Sequence, residues 1–196
     1  MNLPNKFTVF RVILVFVILI ISLINMQGTI LGIPINMFII DIIFIIASIT
    51  DKLDGYIARS TNQITTFGKF LDPIADKILV IVSMIILVEH SKIPSWIPAI
   101  IIMREFILSG YRLIAVEKKG EVVAASIWGK LKTVTQMIAI ILAFIDTNPF
   151  GAIFTNSLTG YNFAINLIVT LMMIICVIAT IFSGWDYIKN GKDLLK

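Results

Sequence analysis

The sequence is poor in everything a water-soluble surface is made from. Charged residues make up 14% of its 196 positions against 58% hydrophobic, whereas a soluble domain carries about 25% charged residues. A mean hydropathy of +0.99 states the same deficit. Too few charges remain to enclose an ordinary core, so a soluble globular fold is excluded and an integral membrane protein is expected. There is one cysteine, Cys176, in an apolar run. No intrachain disulfide can form, and a buried small hydrophobe is its expected role. The one histidine, His90, falls in a connection away from the acids and is expected in solvent. No fixed-period repeat, low-complexity tract or appended soluble domain interrupts the chain, which is expected to form a single membrane domain over residues 1–196.

What the chain has instead is long apolar runs. Crossing a hydrocarbon core of roughly 30 Å takes about 20 mostly apolar residues. Six stretches qualify, near residues 9–26, 37–56, 70–88, 96–116, 127–145 and 163–185, the last without a single charge. Lys6 and Arg11 precede the first run as they would in a signal peptide. Yet Leu23-Ile24-Asn25-Met26-Gln27 offers no small-residue cleavage site, so the run is expected to remain as a helix. In a six-crossing layout fifteen of the sixteen Lys and Arg residues gather on one side, with Lys92 alone opposite. The positive-inside rule then places both termini in the cytoplasm. Connections 25–36 and 146–162 hold Gly and Pro but no Lys or Arg, and read as outer turns. Trp96 marks the outer interface, Trp128 and Trp185 the inner one. The net charge of +4 therefore reflects membrane orientation, and no nucleic-acid partner is expected.

Four acids stand out where the second and third runs meet the inner side. At about 100° per helical residue, Asp51, Asp54, Gly55 and Ala58 share one stripe, and Asp72 and Asp76, spaced i and i+4, share another. Close carboxylates cannot all stay ionised without compensating cations. Oxygen-only ligands without nearby His or Cys favour Mg²⁺ or Mn²⁺ over zinc, and four carboxylates suffice for two ions clamping a phosphoryl group. Gly55 and Ala58 remove bulk beside the acids so that a large ligand can lie against the helix. Arg59 and Lys69 supply charge for phosphate oxygens. The alternative is a solvated loop in which these acids pair with Lys52, Arg59, Lys69 and Lys77, but such a loop needs neither the shared stripes nor the small residues between them.

The string Asp51-x2-Asp54-Gly55-x2-Ala58-Arg59-x8-Gly68-x3-Asp72-x3-Asp76 resembles the complete signature of the CDP-alcohol phosphotransferase family. The resemblance implies an all-α enzyme of six transmembrane helices. It would move a phosphatidyl or related group from a CDP-activated donor to an alcohol and release CMP, its active site facing the cytoplasm. By the same resemblance Asp51, Asp54, Asp72 and Asp76 would hold two divalent ions, with Asp76 also the general base. Asp51, Gly55, Ala58, Arg59, Gly68 and Lys69 would bind the CDP donor, and the protein would form a homodimer.

The acceptor is read from helix four. Arg104 lies eight residues inside Trp96, roughly 12 Å along the axis, and intramembrane charge points to function. With Arg112, Lys130 and Lys132 it forms a basic cluster suited to an acceptor that carries its own phosphate. Local pairing is the competing account: Glu105 adjoins Arg104 and shares a face with Arg112, but one Glu cannot neutralise four cations. Lys118 and Lys119 are expected at lipid headgroups or in water. Asp41, near the outer start of helix two, is expected in an interfacial or partnered structural role. The runs Met103-Arg104-Glu105-Phe106, Ser126-Ile127-Trp128-Gly129-Lys130-Leu131-Lys132-Thr133 and Leu3-Pro4-Asn5-Lys6-Phe7-Thr8-Val9-Phe10-Arg11 resemble the phosphatidylglycerophosphate synthase branch. That implies CDP-diacylglycerol as donor, sn-glycerol 3-phosphate as acceptor and a bacterial cytoplasmic membrane as the setting. Two other readings stay open: a family member with inositol phosphate, serine or a lipid alcohol as acceptor, and a divalent-cation transporter. Acids confined to one membrane face argue against the transporter, because a permeation path needs polar groups through the full depth.

Overall fold

The computed structural model describes residues 3–60, 66–119 and 127–190, with side chains described at 6–50, 71, 74–111, 127–187 and 189. Among these, six long helices alternate with short connections: α1 (Leu3–Leu23), α2 (Ile35–Ser60), α3 (Thr66–Glu89), α4 (Trp96–Lys119), α5 (Ile127–Ile145) and α7 (Gly160–Asn190). A four-residue helix, α6 (Ala152–Thr155), and a two-stranded ribbon, β1 (Thr29–Ile30) with β2 (Ile33–Pro34), lie in the connections. Each of the six apolar runs became a helix. Lys6–Leu23, Ile127–Ile145 and Gly160–Tyr187 are long and apolar enough to cross a membrane, whereas Ile35–Thr50 is a shorter apolar segment. α2, α3 and α4 have 26, 24 and 24 residues, about 36 to 39 Å at 1.5 Å per residue; they carry the four acids with Arg104 and Arg112, while Lys130 and Lys132 lie on α5.

The chain packs as two units, Met1–Lys92 with Ile140–Pro149, and Ile93–Ala139 with Phe150–Lys196. In the first, α1 packs against α2 and α3. Thr8, Arg11, Val15 and Ile18 are all buried at helical spacing and form the inward stripe of α1. Arg11 is thus inside the packing, 1% exposed. The two strands pair antiparallel, Ile30 opposite Ile33. A two-residue turn joins them, with Leu31 at φ 54° and Gly32 at φ 82°, the left-handed pair that matches the twist of a tight hairpin. Gly28 precedes the ribbon at φ 108°, and a Cβ there would stand 3.1 Å from Ile35 Cδ1.

The end of α3 is closed by backbone bonds. Ser91, at φ 56°, donates its N–H to the Val88 carbonyl at 2.9 Å, and the Lys92 N–H reaches the Leu87 carbonyl at 2.8 Å, the paired pattern of a Schellman cap. That turn delivers Lys92 Nζ to the Asp146 carbonyl oxygen at 2.5 Å, joining the end of α3 to the end of α5. Lys92 is therefore a tether between the two helix ends.

In the second unit α4 packs along α7. Trp96 meets Phe150 edge-on at 6.2 Å, Tyr111 meets Tyr187 at 6.4 Å, and Trp128 stacks on Phe182 at 5.1 Å. The α7 helix carries no charge across its apolar run, yet its inner stripe is polar. Wholly buried Asn166 and Thr170 accept the Ile153 and Gly151 N–H groups, both at 3.1 Å, and so satisfy the backbone that enters α6. Cys176 is a buried free thiol and His90 is exposed, both as expected. Asp41 is buried, and its Oδ1 has no hydrogen-bond partner among the described residues.

Candidate active site

The acid signature lies on two helices of one packing unit. The backbone of α2 stays helical past its apolar segment through Ser60, so Asp51, Asp54, Gly55, Ala58 and Arg59 belong to one helix. Asp72 and Asp76 both belong to α3. Asp76 is half-buried beside wholly buried Ala75, just before the buried apolar positions Leu79 and Met84 begin. The side chains of Asp51, Asp54, Gly55, Ala58, Arg59, Gly68, Lys69, Asp72 and Arg112 lie outside the described residues. Among the described residues no three His, Cys, Asp or Glu side chains could hold a metal ion, three of the four signature acids falling outside that set. The donor chemistry fits a hard divalent ion: carboxylate oxygens alone, on two helices of the same unit.

Among the described residues the second unit gathers two of the expected cations. Glu105 Oε1 accepts from Arg104 Nη1 at 2.8 Å and from Lys132 Nζ at 2.5 Å. The three side chains are 20%, 13% and 7% exposed respectively. Glu105 therefore partners Arg104 and Lys132, while the side chain of the same-face Arg112 lies outside the described residues. Arg104 Nη2 also donates to the Ser183 hydroxyl of α7, and its Nε is buried without a hydrogen-bond partner among the described residues. Two cations share one carboxylate in a setting with little water to screen them, so the group has an excess positive charge that an anion would neutralise. Lys130 is exposed and outside this network. Being two residues from Lys132, it points about 160° away around α5.

Sequence reasoning missed Ser183. Serine in a charge-free apolar run carries no signal of its own, and only the adjoining Gly184 hints at a close approach. Gly184 does lie beside Arg104, a Cβ there standing 3.7 Å from Arg104 Cγ, but that is an ordinary contact distance.

A profile of the CDP-alcohol phosphatidyltransferase family matches residues 1–185, and the chain belongs to that family. Among curated proteins it is similar to the CDP-diacylglycerol--glycerol-3-phosphate 3-phosphatidyltransferase of Bacillus subtilis (strain 168), 41% identical over 100% of this chain and 97% of the relative. The protein of the same name from Haemophilus influenzae is 38% identical, covering 99% of this chain and 95% of its own length. That from Rickettsia bellii is 35% identical over 97% and 96%.

Proposed function

We propose that this protein transfers the phosphatidyl group of CDP-diacylglycerol to sn-glycerol 3-phosphate, giving phosphatidylglycerophosphate and CMP. The observation that carries the reading is near-full-length similarity to bacterial relatives of that name in a chain with all eight signature residues in place. The buried Arg104–Glu105–Lys132 group supports a phosphorylated acceptor, because its net charge calls for an anion.

In this reading the acceptor hydroxyl oxygen forms a bond to the lipid-side phosphorus of the donor, and the bond from that phosphorus to the oxygen of CMP breaks. Asp76 takes the hydroxyl proton. Asp51, Asp54, Asp72 and Asp76 would hold two Mg²⁺ or Mn²⁺ ions, which when bound supply charge neutralisation at the diphosphate. Gly55, Ala58 and Gly68 leave room for the CDP moiety, with Arg59 and Lys69 at its phosphates. Arg104, Arg112 and Lys132 receive the acceptor phosphate, while Lys130, on the far side of α5 from Lys132, adds to the positive field that draws the acceptor in.

The layout follows from the same premises. Six spans put fifteen of sixteen basic residues on one side, which supports cytoplasmic termini, a cytoplasm-facing active site and residence in a bacterial cytoplasmic membrane. Because residues 140–149 return to the first unit from within the second, the chain is read as one membrane domain. A homodimer is expected of the family.

Purified protein given CDP-diacylglycerol, a divalent ion and each of glycerol 3-phosphate, inositol phosphate, serine and a lipid alcohol tests the substrate assignment by CMP release. Release with glycerol 3-phosphate supports it, and release only with another acceptor replaces it. Mg²⁺ or Mn²⁺ flux through proteoliposomes without CMP production would make the protein a transporter.

A further inference from the structure

The guanidinium of Arg104 is oriented from two helices. Its Nη1 donates to Glu105 on its own helix at 2.8 Å, and its Nη2 donates to Ser183 on α7. Ser183 is 0% exposed and sits in the charge-free run of α7, so its hydroxyl oxygen has no water competing for the arginine. The Arg104 stem lies beside the next residue of α7, Cγ standing 3.7 Å from where a Cβ on Gly184 would be, an ordinary contact distance. Two hydrogen bonds in different directions fix the plane of a guanidinium, whose five N–H donors form a rigid fork. The edge left over is Nε, buried and unpartnered among the described residues. A buried donor in that state is costly until an acceptor reaches it, and a phosphate oxygen is a strong acceptor for it.

We propose that Ser183 is a positioning residue for the acceptor phosphate, acting through Arg104 by holding the guanidinium so that its Nε edge meets the phosphate. The inference rests on the acceptor reading given above, and it makes α7, which holds no signature residue, a part of acceptor recognition. Glu105 sets the charge of the group, while Ser183 sets the direction in which Arg104 faces.

The test is steady-state kinetics of the full-length protein in detergent micelles with CDP-diacylglycerol and glycerol 3-phosphate. Ser183→Ala is expected to raise the KM for glycerol 3-phosphate about tenfold, the size of one hydrogen bond to a charged group. The KM for CDP-diacylglycerol and kcat should stay within about twofold. Ser183→Thr, which keeps the hydroxyl, should recover most of the loss. In an Arg104→Lys background, Ser183→Ala should add nothing further, because residues that act through one another are not additive. Gly184→Ala, whose added methyl finds ordinary contact distance, should not reproduce the effect. Equal rises in both KM values, a full effect in the Arg104→Lys background, or the same change from Gly184→Ala would overturn the inference while leaving the acceptor assignment intact. A wild-type protein that turns over only with an acceptor lacking phosphate would remove both.

Discussion

Lys132 Nζ lies 2.5 Å from Glu105 Oε1 and, across 27 residues of sequence, ties the opening of α5 to the middle of α4. Arg104 uses the same oxygen, so one carboxylate holds two buried cations. Removing its charge while keeping its shape, as in Glu105→Gln, leaves those cations to repel each other in a poorly screened setting. Breaking such a buried pair costs about 3 to 5 kcal/mol. Thermal unfolding in detergent should show a pronounced drop for Glu105→Gln. An unchanged unfolding temperature would mean that the pair is well hydrated.

Arg112 and Lys130 test the acceptor assignment away from that pairing. Replacing either with Ala is expected to raise the KM for glycerol 3-phosphate severalfold more than that for CDP-diacylglycerol, the pattern of lost ground-state binding. Equal effects on both substrates would assign these cations to the whole site.

In the proposed mechanism Asp76 takes the acceptor's proton. A general base contributes about 10² to 10⁴ in rate, so Asp76→Asn should lower kcat by at least that factor while CDP-diacylglycerol binding partly persists. Turnover at the wild-type rate would take Asp76 out of that role.

Lys92 gives a pH-dependent prediction outside the membrane-spanning segments. Burial pushes its ammonium below the usual lysine range, and the Asp146 charge opposes that shift. The folded state then holds this proton less tightly than the unfolded chain, so the penalty is complete at lower pH. It fades as pH rises through the lowered folded value toward the ordinary one. Unfolding of wild type across the alkaline range should show this gain over a Lys92→Met variant, whose own profile lacks it. Parallel profiles would place Lys92 in water.

Most of the fold is legible in the sequence because a helix in lipid has to satisfy its own backbone and needs about 20 apolar residues to do so. Ile127–Ile145 is an exact match to its apolar run, and the ends of α1 and α7 shift by a few residues only. The ribbon at Thr29–Pro34 was not legible, since two-residue strands hold no period, and Leu31 at φ 54° is not a residue that marks a left-handed turn. Nor was the place of Arg11 inside the packing legible. Its burial is dictated by the neighbours of α1, which a single helix cannot reveal. The acid signature is local spacing and reads directly from the sequence; its backbone lies on α2 and α3, with the side chains of Asp51, Asp54 and Asp72 outside the described residues. The partners of Arg104 were not fully legible: Glu105 was foreseen by adjacency, but Lys132 and Ser183 come from distant helices, and serine in an apolar run has no distinguishing pattern.

The central claim is phosphatidyl transfer onto glycerol phosphate by a carboxylate-held divalent ion. It is tested most directly by following labelled glycerol 3-phosphate into extractable lipid alongside CMP, with and without a chelator. The account predicts one lipid formed per CMP released, loss of both on chelation, and recovery of both on adding Mg²⁺ or Mn²⁺. CMP release without labelled lipid, or full transfer with every divalent ion removed, would contradict it.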